Sequence, residues 1–154
     1  MSDSLGDRMK NYENHYRPFL LNYLPTIVRL DGRAFHTFCR GMDKPFDKNF
    51  RDMMYCTMLG CMKEFGAFAG YVQSDEITLF FNQPKIETQL PFDGNVNKIN
   101  SLMASYTSMY FNKMLPDFLP HAKNSNATFD ARVFQTPNET EASNALLWRW
   151  QDAA

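Results

Sequence analysis

Short β-branched runs separated by longer stretches of helical period leave this chain few ways to fold. Thr26-Ile27-Val28-Arg29-Leu30 reads as a buried first strand closed by Asp31, after a short polar helix at residues 5–16. Pro45 and Asp47 open a helix in which Phe50, Met54, Met58, Cys61 and Phe65 recur at three- and four-residue steps, with Met53 and Met62 beside them, until Gly66 stops it. Phe68–Gln73 and Ile77–Phe81 form two strands joined through Ser74-Asp75-Glu76, a tip without the Gly or Asn that a relaxed hairpin recruits. Such a tip is kept for its side chains.

Asp93-Gly94-Asn95 supplies a turn and an N-cap before a second helix. Its stripe is Ile99, Met103, Tyr106, Tyr110 and Met114, and Pro116 and Pro120 end it. After the polar connector Lys123–Asn126 comes a last strand at Thr128–Gln135, and Pro137 introduces a final helix, Glu139–Ala154. The order is β-α-β-β-α-β with a helix at each end. This is an α+β, ferredoxin-like pattern: an antiparallel sheet with helices on one face.

That topology makes the acids converge. Right-handed crossovers put the first strand between the fourth and the third and make it run in the direction of the second. Asp31 then ends at the same sheet edge as Asp75 and Glu76. Taken singly, Asp31-Gly32 is a common turn pair and an acidic dipeptide on a hairpin is usually solvated. Together, three carboxylates would repel one another by a few kcal/mol at an effective dielectric of about 20 unless a cation intervenes. Carboxylates gathered where strands end suit magnesium beside a triphosphate, because hard cations take oxygen ligands and keep positions open for phosphate. Cationic partners for phosphate flank them in Arg29, Arg33, His36, Arg40 and Lys44. Each also reads as a solvated surface charge, and His36, near Phe35 and Phe38, as a packing histidine.

Composition narrows the class. A chain of 154 residues, 44% apolar and 15% aromatic, supports one folded domain over 1–154 and excludes a disordered chain. Sixteen basic residues against seventeen acidic exclude a global basic field, so a nucleic-acid surface must be a local patch. Cys39, Cys56 and Cys61 have no metal spacing, and no apolar stretch approaches the roughly 20 residues of a membrane span. A soluble, cytoplasmic protein with no membrane partner is expected.

Specific motifs then add a family. Val28-Arg29-Leu30-Asp31-Gly32-Arg33-Ala34-Phe35-His36-Thr37-Phe38, Lys44-Pro45-Phe46-Asp47 and Tyr71-Val72-Gln73-Ser74-Asp75-Glu76-Ile77 strongly resemble tRNA(His) guanylyltransferase and its relatives, the 3′-to-5′ RNA polymerases. Met9-Lys10-Asn11-Tyr12-Glu13, Lys98-Ile99-Asn100-Ser101 and Phe129-Asp130-Ala131-Arg132-Val133 extend the match along almost the whole chain. The resemblance implies a polymerase palm with two Mg2+ ions, held by Asp31, the Gly32 carbonyl and Asp75. Asp31, Asp75 and Glu76 would be the essential acids, with Glu76 supporting the site more than ligating. Arg29, Asp31, Gly32, Arg33, Ala34, Phe35, His36, Ser74 and Asp75 would bind the nucleotide, with Lys44, Asp47, Lys98 and Ser101 as neighbours.

The implied reaction is activation of an RNA 5′-phosphate by ATP or GTP, then attack by an incoming nucleotide's 3′-hydroxyl. Its partners would be tRNA, nucleoside triphosphates and further copies of the chain, as a dimer or tetramer. The family runs on past Trp150-Gln151-Asp152, so the chain reads as C-terminally short of it, lacking structure that normally aids triphosphate binding, tRNA recognition and assembly. The short loop Cys39–Asp43 points to the relatives that repair tRNA 5′ ends. A palm-type cyclase or cyclic-dinucleotide synthase would use the same acidic edge but carries a Gly-Gly-acidic hairpin where Gln73-Ser74-Asp75-Glu76 stands here. A non-catalytic nucleotide- or RNA-binding fragment is the third reading.

Overall fold

The computed structural model describes residues 4–42, 47–82 and 89–153. Its centre is β1 (Thr26–Gly32), flanked by β3 (Glu76–Phe81) and by β4 (Phe129–Gln135), with β2 (Ala69–Gln73) beyond β3. Every neighbouring pair is antiparallel, in the order β2-β3-β1-β4. β1 therefore runs in the direction of β2, and its end meets the β2–β3 hairpin.

Strand alternation splits the sheet into two unlike faces. Val28 and Leu30 of β1, Ile77 and Leu79 of β3 and Phe129 of β4 point into the core. The crossover helices α3 (Lys48–Phe65) and α4 (Val96–Phe118) cover that face with Met53, Met54, Met58 and Cys61 from one, and Ile99, Met103, Phe111 and Leu115 from the other. Asp47 caps α3, its carboxylate accepting from the Phe50 N–H at 2.9 Å, and Gly66 closes it in the left-handed region at φ +77°. The proposed opening at Pro45 lies outside the described residues.

Two details differ from the periodicity. The fully buried stripe of α4 is Ile99, Met103, Thr107, Phe111 and Leu115, one position round from Tyr106, Tyr110 and Met114, which are only partly buried. Thr107 sits in the stripe because its hydroxyl donates to the Met103 carbonyl at 2.7 Å and meets the Cys61 sulfur at 3.3 Å. Pro116 lies inside α4 rather than ending it. Near a C-terminus a proline removes a single intrahelical bond, and the helix runs on to Phe118.

The final helix, α5 (Glu139–Ala153), follows β4 and reaches across the opposite face, where Arg149 meets Glu76 and Trp148 meets Arg29. It buries none of its own residues fully. The polar helix α1 (Leu5–Asn14) is also exposed throughout, capped by Ser4. The segment after it ties down the far end of the sheet: Val96 N–H donates to Pro18 O at 3.1 Å and Leu21 N–H to Gln135 Oε1 at 3.0 Å. No helix of the described residues is long and apolar enough to cross a membrane.

Candidate functional site

Register brings the acids together. Asp31 lies directly across from Glu76 on β3 and from Asp130 on β4. Gln73 pairs with Glu76, so Ser74 and Asp75 form a two-residue turn, and Ser74 has φ +53°. Turns of this length normally place glycine at that position, so the serine is held against a steric cost of about 1–2 kcal/mol. The Gly32 N–H, just past Asp31, donates to the Asp75 carbonyl at 3.0 Å. That bond fixes the hairpin tip to the end of β1.

The turn after β1 is equally constrained. A Cβ on Gly32 would lie 2.7 Å from the Phe35 ring, so glycine lets this ring pack on the strand end. Ala34 adopts φ +54°, and a short helix α2 (Phe35–Phe38) follows. Phe35 is buried against Phe38, Phe50, Phe111 and Phe129. The aromatic cluster anchors the loop from beneath while Arg33 and Ala34 face solvent.

Electrostatics mark the edge as a place for a cation. Burial pushes the Asp31 carboxyl above its ordinary value, Glu76 and Asp130 push it further, and Arg29 and Arg132 act against this. Burial raises Asp75 as well, with Asp31 and Glu76 adding to the effect against hydrogen bonds within the turn. Among the described residues no three His, Cys, Asp or Glu side chains gather to hold a metal alone. Two half-buried, mutually repelling carboxylates nevertheless fit magnesium, which commonly takes one or two protein carboxylates and fills its other positions with water and phosphate.

Glu76 is engaged differently. Arg149 of α5 grips it with both ends of the guanidinium, Nε to Oε1 at 2.7 Å and Nη2 to Oε2 at 2.6 Å, and spans on to Asp152 at 3.3 Å. Arg29 stands 4.0 Å from the same carboxylate. Trp148 lies between the two arginines, its ring centroid 4.5 Å from Arg149 Cζ and 5.4 Å from Arg29 Cζ. The Arg29 Nε and the hydroxyl of its cross-strand neighbour Thr78 are buried without a hydrogen-bond partner. An arginine in that condition, on the same face as Asp31, suits an incoming anion.

The other expected residues divide. Asp47 is close enough to the edge that it and Asp75 both raise the pKa of the Cys39 thiol, after burial, although Asp47 also serves as a helix cap. Phe35 is committed to the core and offers a ligand only its backbone. Lys98 and Ser101 do not join the acids. The Ser108 hydroxyl of α4 accepts from Phe129 N–H at the acidic end of β4, whereas Asn100 accepts from Val133 N–H further along. Lys98 is thus about 15 Å up the helix from Ser108, toward the far end of the sheet. Lys44 and the side chain of His36 lie outside the described residues.

Three charged residues at this face escaped the site reading. The alternation Asp130-Ala131-Arg132-Val133 carries the signal for two of them, placing both charges on the face of Asp31, where they form a 3.4 Å pair. Arg149 has only a weak signal, a lone charge within Leu146-Leu147-Trp148-Arg149-Trp150.

The model of the tRNAHis guanylyltransferase family matches residues 6–137. The chain belongs to this family. A probable tRNA(His) guanylyltransferase of Dictyostelium discoideum is 30% identical over 99% of this chain. Two solved structures of a bacterial tRNA(His) guanylyltransferase-like protein, one with GTP and one with ATP, are each 40% identical over 98% of it, with TM-scores of 0.90 and 0.91. The chain covers 71% and 66% of those two structures. It spans 58% and 59% of the length of the first two curated relatives, the second being the Dictyostelium protein.

Proposed function

We propose that this chain is a nucleotidyltransferase that adds nucleotides in the 3′-to-5′ direction to the 5′ end of tRNA, by guanylyl addition or 5′-end repair, after ATP or GTP activates the 5′-phosphate. The observation that carries the reading is the register: Asp31 opposite Glu76, with the Gly32 N–H bonded to the Asp75 carbonyl, builds one acidic edge from two distant motifs. The GTP and ATP complexes of the similar bacterial protein support nucleotide binding at such a fold. Membership of the family supports tRNA as the acceptor.

Asp31, Asp75 and the Gly32 carbonyl would hold two magnesium ions. When bound, these ions would lower the pKa of the attacking 3′-hydroxyl and stabilise charge on the transferring phosphorus and leaving group. Arg29 serves as the phosphate clamp, its fork free of any hydrogen-bond partner among the described residues. Arg33, the Ala34 and Phe35 backbone, His36 and Ser74 border the nucleotide, with Asp47 and Lys44 behind. Glu76 acts by position: clamped by Arg149, it sets the charge across from Asp31 without being free to ligate. Lys98 and Ser101 belong to another surface, and Lys98 suits contact with a ligand or a second copy there. The assembly would be a dimer or tetramer, measurable by sedimentation.

The deciding experiment incubates the chain with 5′-monophosphorylated tRNA, ATP, labelled GTP and magnesium. Label at the tRNA 5′ end, absent with Asp75→Ala, is the expected result. A cyclic product from free nucleotide, without extension, would overturn the reading.

A further inference from the structure

We propose that a groove on the β4 side of the acidic edge binds the backbone of single-stranded RNA, guiding the strand whose 5′ end lies at Asp31 and Asp75. The inference deepens the activity proposed above and rests on it for the identity of the strand.

The groove encloses about 430 Å³ and is lined chiefly by Arg33, Arg40, His121, Phe38, Ser125 and Asn126. No carboxylate lines it. Its position is set by the chain, since Arg33 is two residues past Asp31, about 7 Å along an extended strand. The Arg33 N–H donates to the Thr128 carbonyl at 2.9 Å, which closes the groove's floor between the end of β1 and the start of β4. A ligand reaching from Asp31 toward β4 enters it directly.

Both walls are held in place. On one side Ala34, at φ +54°, turns the chain into α2 over the aromatic cluster. On the other, Asn112 of α4 brackets Ala127, donating to its carbonyl at 2.8 Å and accepting from its N–H at 2.9 Å. The Ser125 N–H donates to Ala122 O at 2.8 Å, fixing the turn that follows His121.

The chemistry fits a phosphodiester strand. Arg33 and Arg40 form no ion pair among the described residues, although the whole chain has a net charge of −1 and acids lie next door. Cations are segregated here from the carboxylates that would hold metal. Phe38, half-buried at the lining, adds an aromatic surface, and Ser125 and Asn126 add polar groups of either hydrogen-bonding sense. A cationic groove with an aromatic platform and no fixed donor code is the pattern of sequence-tolerant single-strand binding. A free triphosphate would instead need carboxylates within reach to share its cation, and the groove has none.

The test measures fluorescence anisotropy of a 5′-labelled, unstructured RNA decamer on the full chain and on Arg40→Ala/His121→Ala, across a salt series. Thermal stabilisation by GTP with magnesium is read in parallel. The expected result is RNA affinity lowered about tenfold at 0.1 M salt, with the slope of log K against log salt shallower by about 1.4, as for two lost single-strand phosphate contacts. GTP stabilisation stays as it was. Equal RNA affinity in the variant, or no RNA binding by the parent chain, overturns the proposal. So does a loss of GTP stabilisation with RNA binding intact, which makes the groove a triphosphate site. Groove-dependent RNA binding without 5′-end labelling keeps the groove and removes the activity, whereas undiminished labelling by the double variant keeps the activity and removes the groove.

Discussion

Leu30 and Asp31 are neighbours on one strand and live in different worlds. Leu30 is fully buried opposite Ile77, under two helices and among methionines and phenylalanines. Asp31 faces the other way, opposite Glu76, among Arg29, Arg132 and Asp130. The helix-covered face is a packing problem solved by shape, and the other face is a charge problem solved by pairing. One backbone therefore gives a rigid support to a site whose side chains are mutually repulsive.

The comparison breaks most strongly at the core. Leu30→Ala should cost about 3–4 kcal/mol in urea unfolding, because a buried leucine leaves a cavity that flanking strands cannot fill. Asp31→Ala should leave stability nearly unchanged while abolishing magnesium-dependent stabilisation by GTP. If both changes unfold the chain alike, the two faces are not separable.

Arg149→Met comes next, with an expected loss of about 2 kcal/mol, since it strands a nearly buried Glu76 whose other cation is 4.0 Å away. Adding Glu76→Gln should recover part of that loss. A double variant as unstable as Arg149→Met alone would show that the guanidinium acts by packing on Trp148 rather than through the carboxylate. Ser74→Gly should stabilise by roughly 0.5–1 kcal/mol by relieving the positive φ at the hairpin tip. A loss of stability there would mean that the serine hydroxyl outweighs the backbone cost.

The smallest effect concerns pH. Asp31 and Asp75 have folded-state pKa values above their unfolded ones, so the native state binds protons more readily and stability falls as pH rises through those raised values. Asp75→Asn should raise Tm at pH 7 by about 1–2 °C after solvent screening, and by nothing measurable near pH 3.5. An equal gain at both pH values would place the cause outside charge.

Strand order and the meeting of Asp31 with Asp75 and Glu76 were legible because they follow from chain handedness and alternation, which local sequence carries. The aromatic floor under the loop was half legible: Phe35 and Phe38 stand out, but only the tertiary structure shows Phe50, Phe111 and Phe129 closing on them. The placement of Lys98 and Ser101 was not legible. Motif proximity gives no direction, whereas α4 runs away from the acidic edge toward its own N-terminus. Arg149 was hidden for the same reason, since a pairing across 73 residues leaves no mark in local periodicity.

Trp148 between two arginines also has an optical consequence. The chain has two tryptophans, so Trp150→Phe leaves a single indole whose ring is flanked by the cation assigned to phosphate and by the cation that holds Glu76. Drawing Arg29 toward a bound triphosphate would uncover one side of that ring and change its emission. The protein thus carries its own fluorophore at the point where substrate charge would first be felt.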